Sequence, residues 1–289
     1  MGLRQPVRRK LLQWMAFAFT NGHLENFLDG RLYRGPWKEF CSPGLNCYSC
    51  PAAGLACPIG AMQAVAGTRG LYASFYVLGF LMAVGLFLGR AVCGFLCPFG
   101  LLQELLHKIP FPKRRLWHPL IYAKYVALAV LVLFLPAWGT YSAGIGAPAY
   151  CEYVCPAGML EGGLPLLATH PEYRQAVGAL FAWKASILVA TVIGCMMVYR
   201  FFCKALCPLG AIYGLMNRIS LYRLRVDMEN CISCGRCRSS CKMEVDPLRQ
   251  PDSAECIRCG ECANACPKGA ISLGIQRIPA DDKTFRNPA

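Results

Sequence analysis

Negative charge is scarce in this chain of 289 residues: 16 acids stand against 30 bases, and charged residues of all kinds make up only 16%. Histidine is scarcer, with four. No Cys-x-x-Cys-His run occurs, so covalent c-type haem is not expected. Neither a glycine-rich dinucleotide fingerprint nor a phosphate loop is present, which argues against direct binding of NAD, FAD or ATP. No autonomous substrate-converting site is visible.

What the chain has instead is apolar surface and sulfur. Hydrophobic residues make up 55% and the mean hydropathy is +0.37, too apolar for an ordinary water-soluble domain. The charges are uneven: residues 219–289 hold 9 of the 16 acids and 11 of the 30 bases. The tail is therefore soluble and nearly balanced, while the front is apolar and basic. Beside long apolar segments such a basic excess reports loop ends under the positive-inside bias, so no nucleic-acid partner is expected.

Three stretches reach the length of about 20 residues that a bilayer requires: Leu71 to Val92, His118 to Trp138 and Val177 to Tyr199. A fourth, about 11–28, is interrupted by Asn21, His23, Glu25 and Asn26, and either spans or stops short. The segment MGLRQPVRRK followed by LLQWMAFAFT has no small-residue cleavage site after it and reads as an uncleaved anchor. With four spans both termini share the side of Arg8, Arg9, Lys10, Lys113, Arg114, Arg115, Arg200, Lys204 and Arg218, which is expected to be cytoplasmic. Loops 29–70 and 139–176 would lie outside, although Arg31, Arg34, Lys38 and Arg69 dilute the asymmetry.

An internal repeat supports four helices. Gly89-Arg-Ala-Val-Cys93-Gly-Phe-Leu-Cys97-Pro-Phe-Gly-Leu aligns without gaps on Tyr199-Arg-Phe-Phe-Cys203-Lys-Ala-Leu-Cys207-Pro-Leu-Gly-Ala. Looser copies are Cys57-Pro-Ile-Gly and Cys151-x-x-x-Cys155-Pro-Ala-Gly. The expected fold is mainly α and integral to the membrane, a duplicated pair of helix hairpins over 1–218. An α+β bacterial-type two-cluster ferredoxin domain follows over 219–289.

Nineteen cysteines in short spacings followed by proline suit metal thiolates better than a disulfide framework. The strongest signal is Cys231-x-x-Cys234-x-x-Cys237-x-x-x-Cys241, repeated as Cys256-x-x-Cys259-x-x-Cys262-x-x-x-Cys266-Pro. Three thiolates wrap one corner of a cubane and the fourth ligates the other cluster. One 4Fe-4S cluster is thus assigned to Cys231, Cys234, Cys237 and Cys266, and a second to Cys256, Cys259, Cys262 and Cys241. Paired zinc sites would not need the third cysteine of each run. Gly235 and Gly260 let backbone N-H groups turn toward cluster sulfur, and Lys242 stands where proline usually follows.

Cys93 with Cys97 and Cys203 with Cys207 each place two thiols on one helical face. The duplication brings the two faces together, and four thiolates can enclose a third cluster at the cytoplasmic edge. By analogy Cys50, Cys57, Cys151 and Cys155 are chosen for a fourth at the outer face. Cys41 and Cys47 are further candidates for those places, or for a disulfide on an oxidising side. Cys195 reads as packing. Lys124 and Lys184 read as snorkelling side chains near helix ends. His23 with Glu25 and Asn26 is a candidate proton-coupled quinol site, whereas His107, His118 and His170 have no constellation around them. Arg236, Arg238 and Arg258 either offset cluster charge, steer an acidic partner, or are solvated surface.

The run Cys41-Ser-Pro-Gly-Leu-Asn-Cys47-Tyr-Ser-Cys50-Pro, the duplicated Cys-x-x-x-Cys-Pro-x-Gly and the C-terminal cluster runs together resemble the NapH/MauN family of membrane ferredoxin-type proteins. The resemblance implies a quinol dehydrogenase subunit with four transmembrane helices and a cytoplasmic ferredoxin domain. Its partners would be other redox subunits, the quinone pool and membrane lipid. The function expected is electron transfer between quinone and a redox partner through three to four 4Fe-4S clusters. The alternative is a maturation factor that reduces a metal or thiol while another enzyme is assembled.

Overall fold

The computed structural model describes residues 5–68, 72–143 and 146–275. It is mainly helical, with a single two-stranded antiparallel sheet among the described residues, Tyr222–Val226 against Ile271–Ile275, in the register Tyr222 to Ile275.

Two helices are long and apolar enough to cross a membrane, His118–Ser142 and Ala179–Met197, and Phe75–Leu88 is a shorter apolar one. The first of these runs past Trp138, and its middle, Ala127–Phe134, is wound as a π-helix. The stretch expected from Leu71 to Val92 forms the helix Tyr72–Leu88; Leu71 itself lies outside the described residues. It stops because Gly89 takes a left-handed conformation at φ 56°, which turns the chain into the short helix Ala91–Phe95. The helix expected over about 11–28 is instead Gln5–Thr20. Sixteen residues rise about 24 Å, short of the roughly 30 Å hydrocarbon layer.

That first helix is amphipathic in the inverted sense. Arg9, Gln13 and Thr20 are buried, while Leu11, Trp14, Met15 and Phe19 are exposed. The longer helices also turn large apolar side chains outward, among them Phe75, Phe87, Val126, Phe134, Trp138, Trp183 and Val189. A soluble domain buries such faces, whereas a bilayer accepts them. This is a membrane protein.

Three short helices share one construction: Pro58–Ala66, Pro98–Leu106 and Pro208–Met216 each have cysteine as the extended N-cap and proline as the first helical residue. Proline suits that position because its φ is already helical and the N-H it lacks would have no helical acceptor. The fourth copy, after Cys155, passes into a π-turn at Met159–Gly163 instead.

Inside, the helices are joined by buried charge. Arg90 and Arg200, both without solvent exposure, cross the centre reciprocally: Arg90 Nη2 donates to the Cys203 carbonyl at 2.8 Å and Arg200 Nη1 to the Cys93 carbonyl at 2.5 Å. Glu104 answers Arg200 and Arg9, with Arg9 Nη1 at 2.6 Å and Arg200 Nη2 at 2.5 Å, and also takes Lys10 and the Tyr199 hydroxyl. Burial alone would raise the Glu104 carboxyl, but Arg200 and Arg9 hold it well below the usual carboxylate range.

The lobe of residues 222–275 is fastened to the helices by the same means. Arg90 Nη1 reaches Glu255 Oε2 at 2.7 Å, Lys124 pairs with Glu255 Oε1, and Arg9 lies 3.9 Å from Glu261. Asn217 donates to the carbonyls of Ser253 and Cys256, both at 2.8 Å. Lys124, expected to snorkel, is fully buried, because Glu255 neutralises it. Arg258 is 1% exposed and bonds the Ser220 hydroxyl and the Tyr222 carbonyl, so it staples the lobe rather than facing solvent. Arg236 and Arg238 are exposed.

Replacing Glu104 by Gln leaves Arg9 and Arg200 buried without a counter-charge, and an expected cost of about 3–5 kcal/mol would appear as a lowered unfolding temperature of the purified protein; an unchanged Tm would show that the network carries no stability. At Gly94, a Cβ would stand 2.6 Å from the Ile257 carbonyl oxygen. Gly94→Val is therefore expected to loosen the lobe, read as faster amide exchange over residues 254–260 with residues 222–226 unchanged.

Candidate functional site

The C-terminal cysteines line two cavities, and each cavity holds three cysteines of one run with the last cysteine of the other. Cys256, Cys259 and Cys262 line one cavity with Cys241, together with Met243, Val245 and Ile257. Cys231, Cys234 and Cys237 line another with Cys266. Gly235 and Gly260 are left-handed N-caps (φ 72° and 82°) of the short helices that carry Cys237 and Cys262. Lys242, in place of proline, sets its ammonium over the Tyr199 ring.

The inner four cysteines are all buried and face one another: the Cys207 thiol feels the charge of Cys203, Cys93 and Cys97. Burial pushes the Cys93 thiol up to about 11 and Cys97 up to about 12. Such thiols become thiolates only where a cation repays the desolvation.

In the outer group Cys151 and Cys47 stand near both Cys57 and Cys155, and Cys50 stands near Cys47. Cys50 packs with Ala52 and Ala53 against Phe27 and Cys47, with Lys38 and Asn21 near its thiol. Cys41 bridges to Ala56, and Cys41 and Cys47 are both free thiols.

The two sets of cysteines are also joined by close packing through the loop over 29–70. A Cβ on Gly44, in the outer loop, would lie 2.7 Å from the Cys97 Cα. The Tyr213 hydroxyl donates to the Pro43 carbonyl at 3.0 Å and the Tyr150 hydroxyl to the Leu206 carbonyl at 3.1 Å. The loops fold inward because their backbone finds protein partners, such as Ser42 N-H on the Ala56 carbonyl and Gly54 N-H on the Thr20 carbonyl.

Several residues that pattern reasoning passed over belong to these sites. The positions six residues after Cys57, Cys97, Cys155 and Cys207 are Gln63, Gln103, Glu161 and Tyr213. Gln63 Nε2 donates to the Cys151 sulfur at 3.0 Å and Gln103 Nε2 to the Cys203 sulfur at 3.0 Å. Glu161 accepts from the Cys47 N-H at 2.7 Å, and burial pushes its carboxyl up to about 7. The signal was the repeat itself, which also aligns Arg90 with Arg200. Cys195 is buried and donates its thiol to Gln103 Oε1 at 3.6 Å. Lys184 Nζ reaches the Cys151 carbonyl at 3.3 Å. His23 stacks on Tyr33 at 4.0 Å and touches Glu25, which is exposed, so this trio sits beyond the end of the helix at Thr20.

Among the described residues, no group of three His, Cys, Asp or Glu is close enough to hold a single metal ion. Around one zinc, with bonds of about 2.3 Å, thiolates nearly touch; around a cubane they stand at its separate corners. The grouped, dispersed and buried thiols fit the cluster.

Comparison with known proteins agrees. A 4Fe-4S binding domain family matches residues 70–116, 126–164 and 179–227, and a second 4Fe-4S binding domain matches 250–272. An uncharacterized protein of Methanocaldococcus jannaschii is 32% identical over 203 residues, 67% of this chain and 75% of the relative. A putative electron transport protein of Escherichia coli, YccM, is 26% identical over 74% of this chain and 59% of its own length. The methylamine utilization ferredoxin-type protein MauN of Paracoccus denitrificans is 31% identical over 55% of this chain and 52% of its own. This chain spans less than two thirds of the length of most curated relatives it matches. No solved structure matches. The chain belongs to the NapH/MauN family of ferredoxin-type proteins and carries 4Fe-4S binding domains.

Proposed function

We propose that this protein is a multi-pass subunit of a membrane redox complex that carries electrons between the quinone pool and a partner redox protein. In this reading the helices His118–Ser142 and Ala179–Met197 cross the bilayer, the shorter Gln5–Thr20 and Tyr72–Leu88 are embedded beside them, and the lobe of residues 219–289 and both termini are cytoplasmic. Four 4Fe-4S clusters are held by Cys47, Cys57, Cys151 and Cys155, by Cys93, Cys97, Cys203 and Cys207, by Cys256, Cys259, Cys262 and Cys241, and by Cys231, Cys234, Cys237 and Cys266. Each cluster supplies, when bound, a site that accepts and releases one electron.

The observation that carries this reading is contiguity. Gly44 lies against Cys97, Gly94 lies against Ile257 between Cys256 and Cys259, and Cys237 and Cys262 share one hydrophobic cluster that Cys266 packs against. These contacts support a series in which residues around each proposed donor set pack against those of the next. The deep burial of Cys57, Cys93, Cys97 and Cys207 disfavours the alternative of exchange-active thiols, which need exposure and a lowered pKa.

Access for quinone is supported by a wide cavity at the start of helix His118–Ser142. It is lined by His118, Tyr122, Tyr125 and Arg218, and it shares Gln250 and Pro251 with the cavity at Cys256. Tyr122→Leu is expected to slow reoxidation of the reduced protein by a short-chain quinone about tenfold or more, with iron content unchanged; an unchanged rate would remove this cavity from the quinone route.

Anaerobic iron and sulfide analysis tests the cluster set. About sixteen iron atoms per chain are expected at four per cubane, with about twelve in Cys47→Ser and no loss in Cys50→Ser. About eight in the unmodified protein would confine clusters to the C-terminal lobe and overturn the membrane conductor.

A further inference from the structure

Gln63 and Gln103 occupy the same position of two different repeats, six residues after Cys57 and Cys97. Neither side chain turns back to its own cysteine. Each crosses to the first cysteine of the other half, Gln63 to Cys151 and Gln103 to Cys203.

Every polar atom of both amides is accounted for. One Nε2 proton of Gln63 goes to the Ile59 carbonyl at 3.2 Å, one turn back in its own helix, and the other to the Cys151 sulfur. Its Oε1 accepts from the Tyr150 N-H at 2.9 Å. Gln103 repeats the pattern, with Nε2 on the Phe99 carbonyl at 3.3 Å and on the Cys203 sulfur, and Oε1 facing the Cys203 N-H at 3.3 Å and the Cys195 thiol. Two N-H or S-H donors on the oxygen of Gln103, and one on that of Gln63, settle which end of each amide meets sulfur. With 0% and 1% exposure, no water competes for the contact. Glu161 and Tyr213, at the equivalent positions of the second half, offer no N-H, so each set receives one amide donor from this position.

We propose that Gln63 and Gln103 are positioning residues that set the reduction potentials of the two membrane clusters by donating an amide hydrogen bond to one thiolate ligand of each. The proposal rests on the reading that these two cysteine sets hold clusters. A donor to ligand sulfur favours the more negative, reduced state, and hydrogen bonds to sulfur are among the terms that spread cluster potentials. A dry, low-dielectric site strengthens the effect.

The test is an EPR-monitored potentiometric titration of the purified full chain, with iron counted in the same samples. Gln103→Met removes the donor without adding charge. Gln103→Leu also removes the donor without adding charge, and differs from Met in shape, so a shift common to both is not a packing effect. Both are expected to keep full iron and to make reduction of one membrane cluster about tenfold less favourable, about 59 mV for one electron, with the C-terminal pair unmoved. Gln63→Met is expected to shift the other membrane signal. Full iron with unmoved potentials would overturn the proposal, and so would loss of about four iron atoms in both Gln103 variants, which would make the amide scaffold only. About eight iron atoms in the unmodified chain would instead fail the underlying cluster reading before any variant is compared.

Discussion

The reciprocal crossing of Arg90 and Arg200 is the contact on which the rest of this structure depends. Two guanidinium groups with no access to water are costly unless every charge and donor is met. Here each takes the carbonyl of the first cysteine in the opposite repeat and a carboxylate, Glu255 for Arg90 and Glu104 for Arg200. The crossing therefore fixes the backbone of Cys93 and Cys203 relative to each other, which a four-thiolate site requires. It also commits the scarce acids: two of the 16 lie at the centre of the molecule, each shared by two or more cations.

From that centre the molecule extends in both directions by the same devices. Toward the C-terminal lobe, Arg90, Lys124 and Asn217 grip residues 253–256, and Gly94 permits Ile257 to approach. Toward the outer loops, Tyr150 and Tyr213 exchange hydrogen bonds across the two sets, and Gly44 lies against Cys97. The packing is not fully satisfied: the Nε atoms of Arg9, Arg90 and Arg258, the Asn46 Oδ1 and the Gln13 amide have no hydrogen-bond partner among the described residues.

Much of the site was legible in sequence because metal ligation writes itself in spacing. The crossed grouping of Cys241 and Cys266 was legible from run length, and the repeat paired Cys93 and Cys97 with Cys203 and Cys207, but not on one helical face: Cys97 and Cys207 are extended N-caps of the following helices. Cys41, Cys47 and Cys50 have no repeat partner, so sequence could not rank them; Glu161 on the Cys47 N-H is visible only in the fold. The first helix starts earlier than expected because Arg8, Arg9 and Lys10 read as a charged flank, whereas Arg9 belongs with Gln13 to its buried face; the polar run from Asn21 does lie beyond its end at Thr20. Lys124 was misread, and for Arg258 the solvated-surface alternative fails, for one reason: local pattern treats a charge as solvated, and only the fold shows the acid or carbonyls that bury it.

The central claim is that the membrane sets and the C-terminal sets form one continuous line. Magnetic coupling tests it most directly, because paramagnetic centres in adjacent packed sites broaden and split each other's EPR signals. In the fully reduced chain the account predicts interaction between the Cys93–Cys207 centre and the centre at Cys256, and its loss in Cys203→Ser. Four non-interacting signals in the reduced chain would contradict it.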